Sequence, residues 1–121
     1  MIYDPATDSI GELDGGKNLP LGIFEDAVFN ESYRQLASGQ VIIIATDGIW
    51  EARNPEGKMF GKDRIYQIVR QNATASAIDI QNAVLESLKR FQKDRRLEDD
   101  LTLVVIKVIP TPQPSEAADR L

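Results

Sequence analysis

Hydrophobic and polar positions alternate along this chain in ways that predict short strands, two amphipathic helices and a returning strand. Ile2-Tyr3 and the stretch from Ile10 to Leu13 read as two short extended pieces. Asp4-Pro5-Ala6-Thr7-Asp8-Ser9 separates them with turn chemistry, which predicts a hairpin. Asp14 to Asn18 forms a second turn, and Pro20 and Gly22 hold an irregular connection. Val28, Phe29 and Tyr33 are strand formers, so a strand is expected between Ala27 and Leu36, ended by Ser38-Gly39. Val41 to Thr46 is the clearest strand, and Asn54-Pro55-Glu56-Gly57 is a strong turn.

Helical periodicity follows. From Gly61 to Gln71, Ile65, Ile68 and Val69 share one face; from Ser76 to Lys93, Ala77, Ile80, Val84, Leu88 and Phe91 form one stripe. Ser76 with Asp79 three residues on resembles a capping box. Stripes of this kind are core-facing surfaces far more often than partner sites. Leu101 to Ile109 reads as a strand that is apolar on both faces, as expected where both are covered. The order of strands, two helices and a returning strand predicts an α+β fold with antiparallel pairing. The Pro-rich stretch after Ile109 cannot form a ladder, so residues 1–109 are expected to be the folded unit and 110–121 a disordered tail.

Composition narrows the function. The 121 residues are 42% hydrophobic and 27% charged, enough for one core. A net charge of -5 and a pI near 4.7 argue against a nucleic-acid partner, which requires a basic face. With no cysteine and no histidine, thiol chemistry, disulfides and imidazole ligands are excluded, and chemistry falls to carboxylates or to groups supplied from elsewhere. No apolar stretch approaches the roughly 20 residues of a membrane span, so the expected address is cytoplasmic, away from membranes.

Two acidic clusters remain, each at the end of an apolar run: Asp47-Gly48 after Val41 to Thr46, and Asp99-Asp100 before Leu101 to Ile106. If the two strands lie antiparallel and adjacent, both clusters fall at one edge of the sheet. Asp47 and Asp99 would then converge, and oxygen-only ligands suit Mg²⁺ or Mn²⁺. The alternative is a plain turn at Asp47-Gly48 and a solvated loop at Asp99-Asp100. A Ca²⁺ site is disfavoured because no Asp-x-Asp-x-Asp-Gly loop is present.

The motifs Leu19-Pro20-Leu21-Gly22-Ile23, Ser38-Gly39-Gln40, Thr46-Asp47-Gly48-Ile49-Trp50-Glu51-Ala52-Arg53-Asn54, Phe60-Gly61 and Asp99-Asp100-Leu101-Thr102 occur in this order. Together they resemble metal-dependent Ser/Thr protein phosphatases of the protein phosphatase 2C type. The similarity is to the bacterial branch of the stage II sporulation phosphatase and of sigma-factor regulators, and it covers about Ile2 to Val108. The family's earlier Asp-x-x-Gly and Gly-His-Gly segments have no counterpart here, so the chain looks like the C-terminal half of such a domain.

The resemblance implies part of an α-β-β-α sandwich with antiparallel sheets and two helices packed on one face. It implies two Mg²⁺ or Mn²⁺ ions in the complete domain, with metal-activated water attacking a phosphoserine or phosphothreonine monoester. By position, Asp47 and Asp99 would be metal ligands, with Asp100 and Gly48 beside them: Asp100 as a supporting or alternative ligand, Gly48 giving backbone room. Thr46 and Thr102 could hydrogen-bond the carboxylates, and Trp50 is expected to be half-buried, packing the site. The implied partner is a phosphorylated regulatory protein, an anti-sigma-factor antagonist by resemblance. The isolated chain is expected to be inactive, lacking half the ligands; the competing reading is a non-catalytic binding domain of the same fold. Two helices can cover only one side of the sheet, so the fragment is expected to hide the other side as a homodimer.

Overall fold

The computed structural model describes residues 1–13, 15, 18–93 and 100–111. Strands β1 (Ile2–Asp4) and β2 (Ser9–Gly11) form the expected hairpin, with Tyr3 opposite Ile10. The Asp4 carboxylate closes its turn by accepting from the Ala6 N–H at 2.9 Å, and the Tyr3 hydroxyl donates to Asp8 at 3.1 Å. Strand β3 (Val41–Ala45) joins the other side of β1, and β4 (Leu103–Lys107) lies against β3. The sheet order is β2-β1-β3-β4, antiparallel throughout. Among the described residues this is one sheet, with two helices beside it: the α+β arrangement expected.

Pleating sends alternate residues to opposite faces. Tyr3, Val41 and Ile43 point to the helices and are buried, with Ala45, Leu103 and Val105 packed against the same core. Helix α1 (Lys62–Gln71) contributes Ile65 and Val69, and α2 (Ala77–Gln92) contributes Ile80, Val84 and Leu88, the residues that the periodicity picks out. The cap of α2 is as expected: Ser76 Oγ accepts from the Asp79 N–H at 3.2 Å and its hydroxyl donates to the Asp79 carboxylate at 2.6 Å. Helix α1 starts differently. Gly61, at φ 80°, has no side chain to cap with and donates its N–H to the Trp50 carbonyl at 2.8 Å.

Polar side chains fasten the layers. The Lys107 ammonium donates to the carbonyls of Ala73 and Ala75, in the connection between the helices, at 2.9 and 2.5 Å. Gln81 donates to the Leu103 carbonyl at 3.1 Å. Phe60 and Phe91 meet edge to face at 5.3 Å, and the Arg64 guanidinium lies 4.5 Å from the Phe91 ring centre.

Two expectations need correction. Residues 27–36 are not a strand; Val28 and Tyr33 are 87% and 90% exposed, and a clasp between the Asn18 side chain and the Asn30 backbone shapes this loop. Strand-forming residues make a strand only beside a partner, and the four described strands leave them none. Nor are both faces of β4 covered: Val104 and Ile106, with Ile44 of β3 opposite Val104, stand about half exposed on the side away from the helices. Ile2 and Ile42 on that same side are buried. The expected tail lies, beyond Thr111, outside the described residues.

Candidate metal centre

The end of β3 and the approach to β4 meet at one edge of the sheet. Ala45 pairs with Leu103, and one step on Thr46 donates its N–H to the Thr102 carbonyl at 3.1 Å. The Thr46 hydroxyl accepts from the Thr102 N–H at 3.0 Å and reaches the Asp100 carbonyl at 3.5 Å. The Thr46 side chain therefore serves the main chain of the opposing segment, where carboxylate partners were expected. Its effect is to hold Asp47 and Asp100 on one rim.

Asp47 owes its position to a turn. The Ile49 N–H returns to the Thr46 carbonyl at 3.3 Å, and the Glu51 N–H to the Asp47 carbonyl at 2.9 Å. Ile49 is fully buried and anchors the turn, Gly48 is buried beside it, and Asp47 is left exposed. Asp100 is exposed on the facing segment, and Asp99 lies outside the described residues. Among the described residues no three carboxylates gather into a cation site. The donor chemistry at this rim, carboxylate oxygen on a solvent-facing turn, fits a hard divalent cation in kind. In number the described carboxylates fill at most two of the six positions around Mg²⁺, the others falling to water, substrate oxygen or residues outside the described ones.

Trp50 is half-buried against the core, as expected, and the Lys62 ammonium lies 4.9 Å from its ring centre. Lys62 also donates to Glu12 at 3.1 Å, and the Tyr66 hydroxyl donates to the same oxygen at 3.3 Å. The Lys62 hydrogen bond holds the Glu12 carboxyl below its usual range; burial, with Glu12 nearby, raises the Tyr66 hydroxyl. Trp50 to Gly61 forms a second hairpin, with Phe60 bonded to Ala52 at 2.8 Å and Arg53 bridging Met59. Gly57, at φ 81°, makes the tight return behind Asn54. The sequence pattern marks that turn but neither the hairpin nor the Glu12–Lys62–Trp50 cluster, which joins residues far apart in the chain.

The sheet edge thus joins the Thr-Asp-Gly turn to an Asp-x-Thr segment, two of the motifs on which the resemblance to phosphatase domains of the protein phosphatase 2C type rests. The chain belongs to the stage II sporulation protein E (SpoIIE) family, which it matches over residues 1–109. It is 30% identical over 107 residues to the phosphoserine phosphatase RsbU of Bacillus subtilis (strain 168), covering 88% of this chain and 31% of RsbU. The chain thus spans about a third of the length of that relative. Among solved structures, the SiaA-PP2C domain of Pseudomonas aeruginosa is similar over 60% of this chain and 30% of its own, with 25% identity and a TM-score of 0.55. The phosphatase domain of the cell fate determinant SpoIIE from Bacillus subtilis, presoaked with Mn, shares the fold over 85% of this chain and 47% of its own, with 21% identity and a TM-score of 0.54.

Proposed function

We propose that residues 1–109 form the C-terminal portion of a Mg²⁺- or Mn²⁺-dependent phosphoserine/phosphothreonine protein phosphatase domain. The observation that carries this reading is the meeting of Thr46-Asp47-Gly48 with Asp100-Leu101-Thr102 at one sheet edge, in a chain of the SpoIIE family. Asp47 and Asp99 would hold a metal ion, with Asp100 and the Gly48 turn in support. When bound, such ions activate water for in-line attack on phosphorus and neutralise phosphate charge. The chain's own part is to fix the geometry: Ile49 pins the turn, Thr46 clamps the opposing strand, and Trp50 backs the site. The remaining ligands would come from a preceding segment outside this sequence.

The substrate in this reading is a cytoplasmic phosphoprotein of a sigma-factor pathway, an anti-sigma-factor antagonist, as the resemblance of the ordered motifs to sigma-factor regulators implies; the likeness to a phosphoserine phosphatase, RsbU, supports a phosphoserine substrate. Among the described residues no helix is long and apolar enough to cross a membrane. The open face around Ile44, Val104 and Ile106 supports self-association of the isolated chain as a homodimer.

Activity tests the proposal. With excess Mn²⁺, the 121-residue chain should hydrolyse an aryl phosphate no faster than metal in buffer. A longer protein restoring the preceding segment should be active, and Asp47→Asn or Asp99→Asn should each cost at least about a hundredfold in kcat, as expected for removing a group that organises transition-state charge. Full activity in both variants would remove the ligand assignment, and full activity of the 121 residues alone would remove the half-domain reading.

A further inference from the structure

In an antiparallel ladder each hydrogen-bonded pair is closed by two main-chain bonds, one in each direction. At the near end of the β3–β4 ladder this holds: the Gly39 N–H bonds to the Val108 carbonyl at 2.7 Å, and the Val108 N–H to the Gln40 carbonyl at 2.9 Å. The pair at the far end differs. Thr46 donates its N–H to the Thr102 carbonyl at 3.1 Å, but the Thr102 N–H returns to the Thr46 hydroxyl, at 3.0 Å, in place of the Thr46 carbonyl. The carbonyl so released accepts the Ile49 N–H at 3.3 Å and starts the turn that carries Asp47 and Gly48. The same hydroxyl reaches the Asp100 carbonyl at 3.5 Å. One residue thus ends a strand and begins a turn, while its side chain keeps the opposing main chain engaged at both Asp100 and Thr102.

We infer that Thr46 is a positioning residue for the metal centre: its hydroxyl, standing in for its own carbonyl, sets the Asp47 turn and the segment entering β4 at a fixed separation. The inference rests on the reading of Asp47 and Asp99 as ligands of one ion, Asp99 being next to Asp100 in the chain. Ligands on two separate segments hold an ion well only when folding has already set their spacing, because Mg²⁺ demands near-ideal octahedral geometry. The chemistry of the residue suits the task. Threonine joins a hydroxyl that can accept and donate to a branched carbon whose χ1 is stiff, so the oxygen is held in place without further contacts. Valine has the branched shape and no acceptor; serine has the oxygen on a freer side chain. Thr46 adds no charge to the site, so its loss should appear as weaker metal binding with the carboxylates still present.

Thr46→Val and Thr46→Ser separate shape from hydroxyl, and the first measurement needs no metal. In the 121-residue chain, amide hydrogen exchange followed by NMR should be several-fold faster at Thr102 in Thr46→Val than in the parent, with Thr46→Ser close to the parent. Val104, paired with Ile44 inside the ladder, should exchange alike in all three. The second measurement uses a longer protein carrying the preceding segment and reads Mn²⁺ binding from the loss of the free-ion electron paramagnetic resonance signal. Thr46→Val should bind Mn²⁺ about tenfold or more weakly, the range for residues that orient metal ligands, and Thr46→Ser should recover most of it. Ser76→Ala, which removes the cap of α2, should bind Mn²⁺ as the parent does, so a general loss of stability is distinguished from positioning. Unchanged Thr102 exchange in Thr46→Val would overturn the inference. So would Mn²⁺ binding that Thr46→Val leaves intact, that serine does not restore, or that Ser76→Ala weakens equally. A parent that binds no Mn²⁺ removes the metal reading, and with it the ion that Thr46 serves, whereas faster Thr102 exchange in Thr46→Val still establishes the side-chain rung; the two failures are therefore told apart.

Discussion

Replacing Lys107 with methionine keeps the side-chain stem and removes the ammonium that ties β4 to the connection between the helices. That ammonium donates to two carbonyls, of Ala73 and Ala75, at partly buried positions. Hydrogen bonds to a charged group contribute about 1.5–3 kcal/mol, and each abandoned carbonyl loses a partner where water has restricted access. The apolar methionine recovers some of this by packing beside Tyr3 and Val41, its neighbours in register. The net expected loss is about 2 kcal/mol. At roughly 2 cal/mol/K of unfolding entropy per residue, about a hundred ordered residues should melt roughly 10 °C lower. Urea unfolding followed by far-ultraviolet circular dichroism measures the change directly, and the midpoint should fall with an unchanged slope. A variant as stable as the parent would show that the helix connection is held by the packed faces of α1 and α2 alone.

Ser76→Ala should cost about 1 kcal/mol by uncapping α2, with Ser76→Thr retaining most of it, as measured by the same unfolding curves. Glu12 is mostly exposed, and its folded-state carboxyl is held below the ordinary range by Lys62. It should therefore favour the folded state above the ordinary carboxylate pKa and lose that contribution as pH falls through its lowered value; in Lys62→Met, NMR titration should find Glu12 returned toward the ordinary value of about 4.3. Analytical ultracentrifugation at micromolar concentration should find the isolated chain dimeric and Ile44→Lys shifted toward monomer, and a dispersed monomeric parent would contradict the proposed sheet-face association.

What could be read from the sequence follows physical locality. The hairpin at Asp4 to Ser9, both helical stripes and the Ser76 cap are specified within a few residues and appear where the pattern puts them. The adjacency of β3 and β4 follows from two apolar runs needing partners, and it brings the Asp47 turn to the Asp100 segment. Residues 27–36 misled because strand propensity says what a segment does beside a neighbour, and local composition does not name the neighbour. The insertion of β1 between β2 and β3, and the stacking of Lys62 on Trp50, depend on the folded topology and leave no short-range mark. Asp99, the second proposed ligand, lies outside the described residues, so the candidate site is legible on one side only.

The pairing of β3 with β4 also governs when this sheet can assemble. Val41 lies opposite Lys107 and Ala45 opposite Leu103, so the central strand finds one of its two neighbours only after both helices have been made. Contacts this distant are slow to close, because loop entropy is lost before any pairing energy is gained. Among the described elements only β1 and β2 are made before Val41-Ile42-Ile43-Ile44, the most apolar run of the chain, and both helices are still to come when it leaves the ribosome. For that interval it is an uncovered aggregation-prone strand. Expression yield should therefore depend on temperature and chaperone supply more steeply than the stability of the finished fold would suggest.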